Sequence, residues 1–413
     1  MNMRRASLVV IVLAAIAVPS AQPGADHWVG TWSTAVVPST VYPPVQGFRN
    51  PPPIASQGFQ NQTIRQIVHT SIGGDRVRVV LSNVFGTTPL TIGAASIALR
   101  DTDSAIVAAS NHKLTFGGLA APTVPAGAEM FSDAVAMAIP PFGDLAIDLF
   151  IPDAAPTSTR TLHLGAFQTN YIADGGNHAG EAMLANATAI NSWFFLERVE
   201  VTAPAQTVAV VAFGDSITDG TGSTRNANSR WPDLLARRLA SPRVAIMNQS
   251  IAGNRILSDA YTFGFGVPAL ARFDRDVIAQ SGATHVVVLE GINDIGLGLE
   301  NPSPSVEELI AAYRQIAARA HAHGLKVVAG TLLPFEGAAY YTATGETKRA
   351  AVNTWLRDRN NGFDGLIDFD AATRDKDHPL QIMPAWHAGD HLHPNDAGYR
   401  AMADAIDLKL FSK

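Results

Sequence analysis

Ser216 stands in Gly214-Asp215-Ser216-Ile217, directly after the apolar run 208–213. A serine hydroxyl is a weak nucleophile until a base takes its proton and a third group fixes the base's tautomer. Asp390-His391-Leu392-His393-Pro394, near the C-terminus, offers an acid and an imidazole three residues apart. At that spacing the Asp390 carboxylate can meet one imidazole nitrogen of His393 while the other faces Ser216. The plainer reading of Ser216 is a helix cap, since Ser and Asp are common at helix starts. Its company elsewhere in the chain argues for chemistry.

Two further turns hold groups suited to a developing negative charge. Ser250-Ile251-Ala252-Gly253-Asn254 follows an apolar segment, and Gly253 lets backbone approach a ligand with its N–H exposed. Gly291-Ile292-Asn293-Asp294 follows the run 286–289. An Asn amide can donate to an oxyanion, so the backbone N–H groups of Ser216 and Gly253 with the Asn293 side chain make a three-donor hole. Taken singly, each is equally well an ordinary turn residue. A metal reading competes near the C-terminus, where His378, His387, Asp390, His391 and His393 crowd together. No HExxH or other regular ligand spacing supports it, and neither a metal nor an organic cofactor is expected.

The elements that must position these groups follow a change of pattern near residue 202. From 26 to 201 the signals are strands: Val77, Val79 and Leu81 alternate, as do Leu145, Ile147, Leu149 and Ile151, and 193–199 looks like a closing strand. This predicts an antiparallel β-sandwich of jelly-roll type, with the Pro-rich stretch 43–53 as a surface loop. Residues 202–206 read as a linker. After it, apolar strands (208–213, 244–247, 286–289, 327–333, 366–369) alternate with amphipathic helices (231–239, 270–280, 306–323, 348–360 and a final one). That alternation predicts a parallel sheet covered on both faces, whose ligands sit outside the carboxyl ends of the strands. Ser305 with Glu308 marks a capping box, and Leu309, Ala312, Tyr313, Ile316 and Ala320 form the buried stripe behind it.

In this order, Ser216 in Gly-Asp-Ser, Gly253, Asn293 in Gly-Ile-Asn-Asp and His393 in Asp-His-Leu-His-Pro resemble the SGNH (GDSL-type) hydrolases over residues 207–413. The resemblance implies a flavodoxin-like α/β/α catalytic domain. It implies Ser216 as nucleophile, His393 as general base, Asp390 as its orienter, and an oxyanion hole of Ser216, Gly253 and Asn293. Some polysaccharide deacetylases of the family are similar in carrying a β-sandwich ahead of the catalytic domain. No Gly-x-Ser-x-Gly surrounds Ser216, so the nucleophile elbow of α/β-hydrolases is not expected.

Composition bounds the rest. The 413 residues are 47% hydrophobic and 16% charged, which is globular and long enough for two domains. A formal charge of -6 and the lack of a basic block beyond the extreme N-terminus argue against nucleic acid as a partner. Two arginines within residues 1–5, eleven apolar residues at 8–18 and small residues at Ser20 and Ala21 read as a signal peptide over 1–21. Eleven residues are too few to cross a bilayer, which needs about 20, so export to the periplasm or medium without stable membrane insertion is expected. With no cysteine, neither disulfides nor a thiol nucleophile is available. The expectation is a secreted serine esterase acting on short-chain acyl or acetyl esters of small molecules or polysaccharides. Lipid or aryl esters, acyl transfer, and a carbohydrate-binding protein on an inactive scaffold are the competing readings. Aromatics at Tyr261, Phe263, Phe265, Tyr340 and Tyr341 fall in loops placed to border the expected site, where they could stack on sugar rings, although packing in small clusters is the expectation for most of them.

Overall fold

The computed structural model describes residues 26–39, 58–155, 160–259, 264–296 and 303–411. The leader, the Pro-rich stretch, Tyr261 and Phe263 therefore lie outside the described residues.

The N-terminal half is built from antiparallel sheets. One runs Trp28–Ser33, Leu196–Thr202, Gly74–Ser82, Val135–Ile139, with Glu129–Phe131 also pairing on Gly74–Ser82. A second runs Thr188–Ile190, Asn170–Asp174, Gln62–His69, Asp144–Ile151, Ala94–Leu99, His112–Lys113, and a smaller one runs Trp193–Phe194, Arg160–His163, Val37–Ser39. Val77, Val79, Leu81, Leu145, Ile147, Leu149 and Ile151 are all buried, as their alternation requires. The segment expected as one strand over 193–199 is two. Phe195 takes a left-handed φ of 58°, so Trp193–Phe194 pairs with Arg160–His163 and Leu196–Thr202 turns away into the first sheet. Phe194 and Phe195 are thereby both buried.

Between Thr202 and Val208 the chain changes from antiparallel to parallel pairing. Five parallel strands follow in the order Val244–Asn248, Val208–Gly214, Ala283–Leu289, Lys326–Gly330, Gly365–Ile367. In chain order this is 2-1-3-4-5, the flavodoxin-like arrangement, and its strand order reverses beside Val208–Gly214. That strand is buried throughout, which explains its unbroken apolar sequence. The C-terminal half thus has the expected flavodoxin-like parallel sheet, and the N-terminal half is the expected β-sandwich of antiparallel sheets.

Three elements differ from expectation. The strand expected over 327–333 ends at Gly330, because the Leu332 N–H donates to a side chain of the next helix, Asn353 Oδ1 at 2.8 Å, and not to a neighbouring strand. That helix, Ala343–Arg357, starts five residues before the expected 348; Thr342 caps it by accepting from Gly345 N, and a glycine in the first turn masks the start. The helix expected over 270–280 is Ala269–Phe273 followed by a π-helical turn, Asp274–Ile278. Ser305 caps Val306–Ala322 through the expected reciprocal box.

One apolar core runs through both halves, joining Val29, Trp32 and Val37 to Ile246, Met247 and Phe273. Gly30 lies so close to Met247 that a side chain there would overlap its sulfur. Gly30 N–H donates to Ser281 O at 3.0 Å, and Ile246 N–H to Ser71 Oγ at 3.0 Å. Among the described residues no helix is long and apolar enough to cross a membrane.

Candidate active site

Ser216 opens the short helix Ser216–Asp219, at the carboxyl end of the first parallel strand. Asp215 caps that helix, its carboxylate accepting from Ile217 N at 2.9 Å. The capping role that Ser216 could have taken is therefore filled by its neighbour, and the hydroxyl is left for another partner. That partner is His393: Ser216 Oγ lies 2.8 Å from His393 Nε2.

His393 is held by the turn around it. Its Nδ1–H donates to Asp390 Oδ2 at 2.5 Å, while Asp390 Oδ1 accepts from the backbone N–H groups of Leu392 and His393 at 3.0 and 2.9 Å. Partial burial works to raise the Asp390 pKa, but the His393 bonds and charge with the Leu392 N–H outweigh it and hold the carboxyl well below the usual carboxylate range. Asn395 then caps the final helix, Asp396–Asp404, and its amide holds Ala385 O and His387 O. Asp396 Oδ1 accepts from Thr224 N and Ser229 Oγ at 2.9 and 2.5 Å, which ties the histidine turn to the segment following Ser216.

The two expected donor loops converge on the same edge. Gly253 has φ 76°, and the Phe265 ring covers the place a side chain would take. Ile251 N–H bonds Gly214 O at 3.0 Å, and Ala252 N–H bonds Asp219 Oδ2 at 3.2 Å, so this loop is fastened to both ends of the Ser216 helix. Asn293 lies in Ile292–Gly296, and its Nδ2 donates to Asn254 O at 3.0 Å. An amide nitrogen carries two protons, so one remains for a ligand.

Residues 212–401 match the model of the GDSL-like Lipase/Acylhydrolase family. The C-terminal half is a GDSL-like lipase/acylhydrolase domain. Solved structures similar to this GDSL domain include a GDSL-like lipase from Bacteroides thetaiotaomicron, at 18% identity and TM-score 0.38 over 49% of this chain and 87% of that one. An acetylxylan esterase from Geobacillus stearothermophilus is 21% identical at TM-score 0.38, over 49% and 94% of the two chains. A carbohydrate acetylesterase family member from Sinorhizobium meliloti is 16% identical at TM-score 0.40, over 48% and 95%. No curated protein sequence matches the chain.

Around these groups the GDSL domain buries charge that its sequence does not announce. Arg272, wholly buried, donates to Gly214 O at 3.1 Å, Gln249 O at 2.6 Å, Asn254 Oδ1 at 2.8 Å and Asp276 Oδ2 at 3.0 Å, and lies 3.7 Å from Glu290. One guanidinium thus fixes the strand end before Ser216 and both flanks of the Gly253 loop. Burial pushes the Asp215 carboxyl up to about 7 and that of Asp294 up to about 6, and raises Glu290 well above the usual range. Asp294 nonetheless accepts from Ile256 N at 2.9 Å and Leu257 N at 3.2 Å, anchoring the chain beyond Gly253.

Tyr340, expected only as a loop aromatic, donates its hydroxyl to Asn293 Oδ1 at 3.3 Å. This bond sets which end of the Asn293 amide is oxygen, and so turns the nitrogen toward Asn254 and the site. Tyr341 instead packs on Phe335, ring centroids 5.0 Å apart. Of the histidines considered for a metal, His387 uses Nδ1 to accept from Gly389 N at 3.0 Å and His391 N at 3.2 Å, shaping the turn that carries Asp390. Neither Arg272 nor Tyr340 has a sequence signal of this role: each is one arginine or tyrosine in an ordinary helix or loop.

Proposed function

We propose that the protein is an exported carboxylic ester hydrolase in which Ser216 is the nucleophile. One observation carries the reading: an unbroken chain of hydrogen bonds from Ser216 Oγ through His393 to Asp390. His393 Nε2 takes the hydroxyl proton as Oγ attacks the ester carbonyl, and Asp390 stabilises the resulting imidazolium. The carbonyl oxygen, now negative, is received by the N–H groups of Ser216 and Gly253 and by Asn293 Nδ2. The C–O bond to the alcohol then breaks, and His393 returns its proton to the leaving alkoxide. Water attacks the acyl-serine with His393 again as base, releasing the acid and restoring Ser216. No cofactor enters these steps.

A small acyl group, acetyl above all, suits the surroundings of Ser216, which is 5% exposed beside Asn293 at 3%. The alcohol half is open on this reading, and acetylated polysaccharide is the natural extracellular source of such esters. The apolar run at 8–18 after two arginines supports export. The test is hydrolysis of p-nitrophenyl acetate by the full chain and by Ser216→Ala, followed by a panel of acetylated sugars and of acyl chains of rising length. Turnover by the wild type alone, falling steeply beyond short acyl chains, is expected; equal background rates would overturn the reading.

A further inference from the structure

His163 belongs to the sandwich, in the strand Arg160–His163, outside the family match and far in sequence from Ser216. It is 3% exposed. Its Nδ1 lies 2.7 Å from Ala35 O and its Nε2 3.0 Å from Asp219 Oδ1. A carbonyl can only accept, and so can an ionised carboxylate, so with Asp219 ionised both ring nitrogens carry protons and the ring is an imidazolium. Asp219 is the last residue of the Ser216 helix, and its other oxygen receives the N–H of Ala252, the residue before Gly253. The path from sandwich to oxyanion loop is three bonds long: Ala35 to His163, His163 to Asp219, Asp219 to Ala252.

Resting on the ester-hydrolase reading, we infer that His163 is a positioning residue supplied by the sandwich, which sets the Gly253 loop against the Ser216 helix through Asp219. The sandwich is then part of the catalytic apparatus and not a detachable targeting module. The surrounding contacts agree. Arg230, from the same Ser216-to-helix segment, donates to Ala166 O and lies over the rings of Phe167 and Trp193, so residues 163–167 are gripped at both ends by the GDSL domain. The Trp193 ring, 5.6 Å from the His163 ring, closes the side facing the sandwich core.

The charged groups facing His163 are Asp219 and Arg230. Burial would lower this imidazole's pKa and Arg230 acts in the same direction, but Asp219 and the Ala35 carbonyl outweigh both and raise it. The native state therefore holds the proton longer than an unfolded chain would. The link is complete at and below the ordinary imidazole range and is lost as pH rises through the raised value.

The experiment is steady-state hydrolysis of p-nitrophenyl acetate by the full chain, wild type and His163→Gln. A glutamine can donate at only one of the two sites and carries no charge. The expected result is a fall in kcat on the order of 10- to 100-fold, the scale of a slight misplacement of a catalytic group, with KM changed less than about twofold. The wild-type rate also declines on the alkaline side, and the variant lacks that limb. Should His163→Gln fail to fold, Asp219→Asn, which keeps the shape and loses the charge, carries the same expectation. A folded His163→Gln with wild-type kcat, or one that is only less stable to heat, overturns the inference while leaving the esterase reading intact. A wild type without turnover overturns both.

Discussion

Asn293 is the donor whose contribution can be isolated most cleanly, because it acts through a side chain while the other two proposed donors are backbone. Its Nδ2 spends one proton on Asn254 O at 3.0 Å, and Tyr340 fixes the amide's orientation through Oδ1 at 3.3 Å. Asn293→Ala removes the donor to the oxyanion while leaving Ser216, His393 and Asp390 in place. Loss of one such donor is worth about 2.7–4 kcal/mol, or roughly 10²- to 10³-fold in kcat. Part of any lost stability comes from Asn254 O, so the measurement is made on protein shown to be folded by circular dichroism. Tyr340→Phe removes only the orienting bond, a long neutral one worth about 0.5–1.5 kcal/mol, and should cost roughly 2- to 13-fold, again in kcat and not in KM. The assay is initial-rate hydrolysis of p-nitrophenyl acetate across substrate concentrations. If Asn293→Ala keeps kcat/KM within about twofold of wild type, Asn293 is not an oxyanion donor and the hole has been assigned wrongly.

Replacing Asp390 by Asn leaves an amide against His393 Nδ1 and no longer selects the tautomer that faces Ser216, so kcat should fall by up to about 10⁴-fold with little change in melting temperature. Arg272→Met strips the cation from Asp276 and Glu290 and frees Gly214 O and Gln249 O; urea unfolding should show a loss on the order of 3–5 kcal/mol. Asp215 and Asp294, raised to about 7 and about 6, keep protons in the native state that unfolded carboxyls release near pH 4. Stability from these groups is therefore present at low pH and lost as pH rises through 6–7, so the melting temperature should be lower at pH 7.5 than at pH 5.5, and Asp215→Asn should flatten the difference. A melting temperature that rises over that interval contradicts the placement of these carboxyls.

Much of the fold was legible because it rests on local pattern. The alternation of Leu145 to Ile151 and the unbroken run 208–213 have one sensible burial each, and the turn blocks carrying Ser216, Gly253, Asn293 and His393 sit where a parallel sheet presents its carboxyl ends. What escaped depends on tertiary context. The break at Phe195 needs a left-handed residue that no glycine marks. The helix Ala343–Arg357 begins at a Thr-Ala-Thr-Gly stretch whose Gly345 reads as a breaker, yet packs against Ile295 and Phe335. His163 looks like a strand residue among core neighbours, and Arg272 like a surface charge on a helix; their roles follow from groups 56 and 58 residues away in the chain. A single sequence holds the local turn chemistry of a site, but not the long-range bonds that brace it.

The proposed chemistry requires Ser216 to be an activated nucleophile, and covalent capture tests that without any assumption about the natural ester. Incubation with a fluorophosphonate, followed by intact-mass and peptide mass spectrometry, should give one adduct per chain, on Ser216, at a rate greatly slowed in His393→Ala. An adduct on another residue, or none on folded wild-type protein, would contradict it.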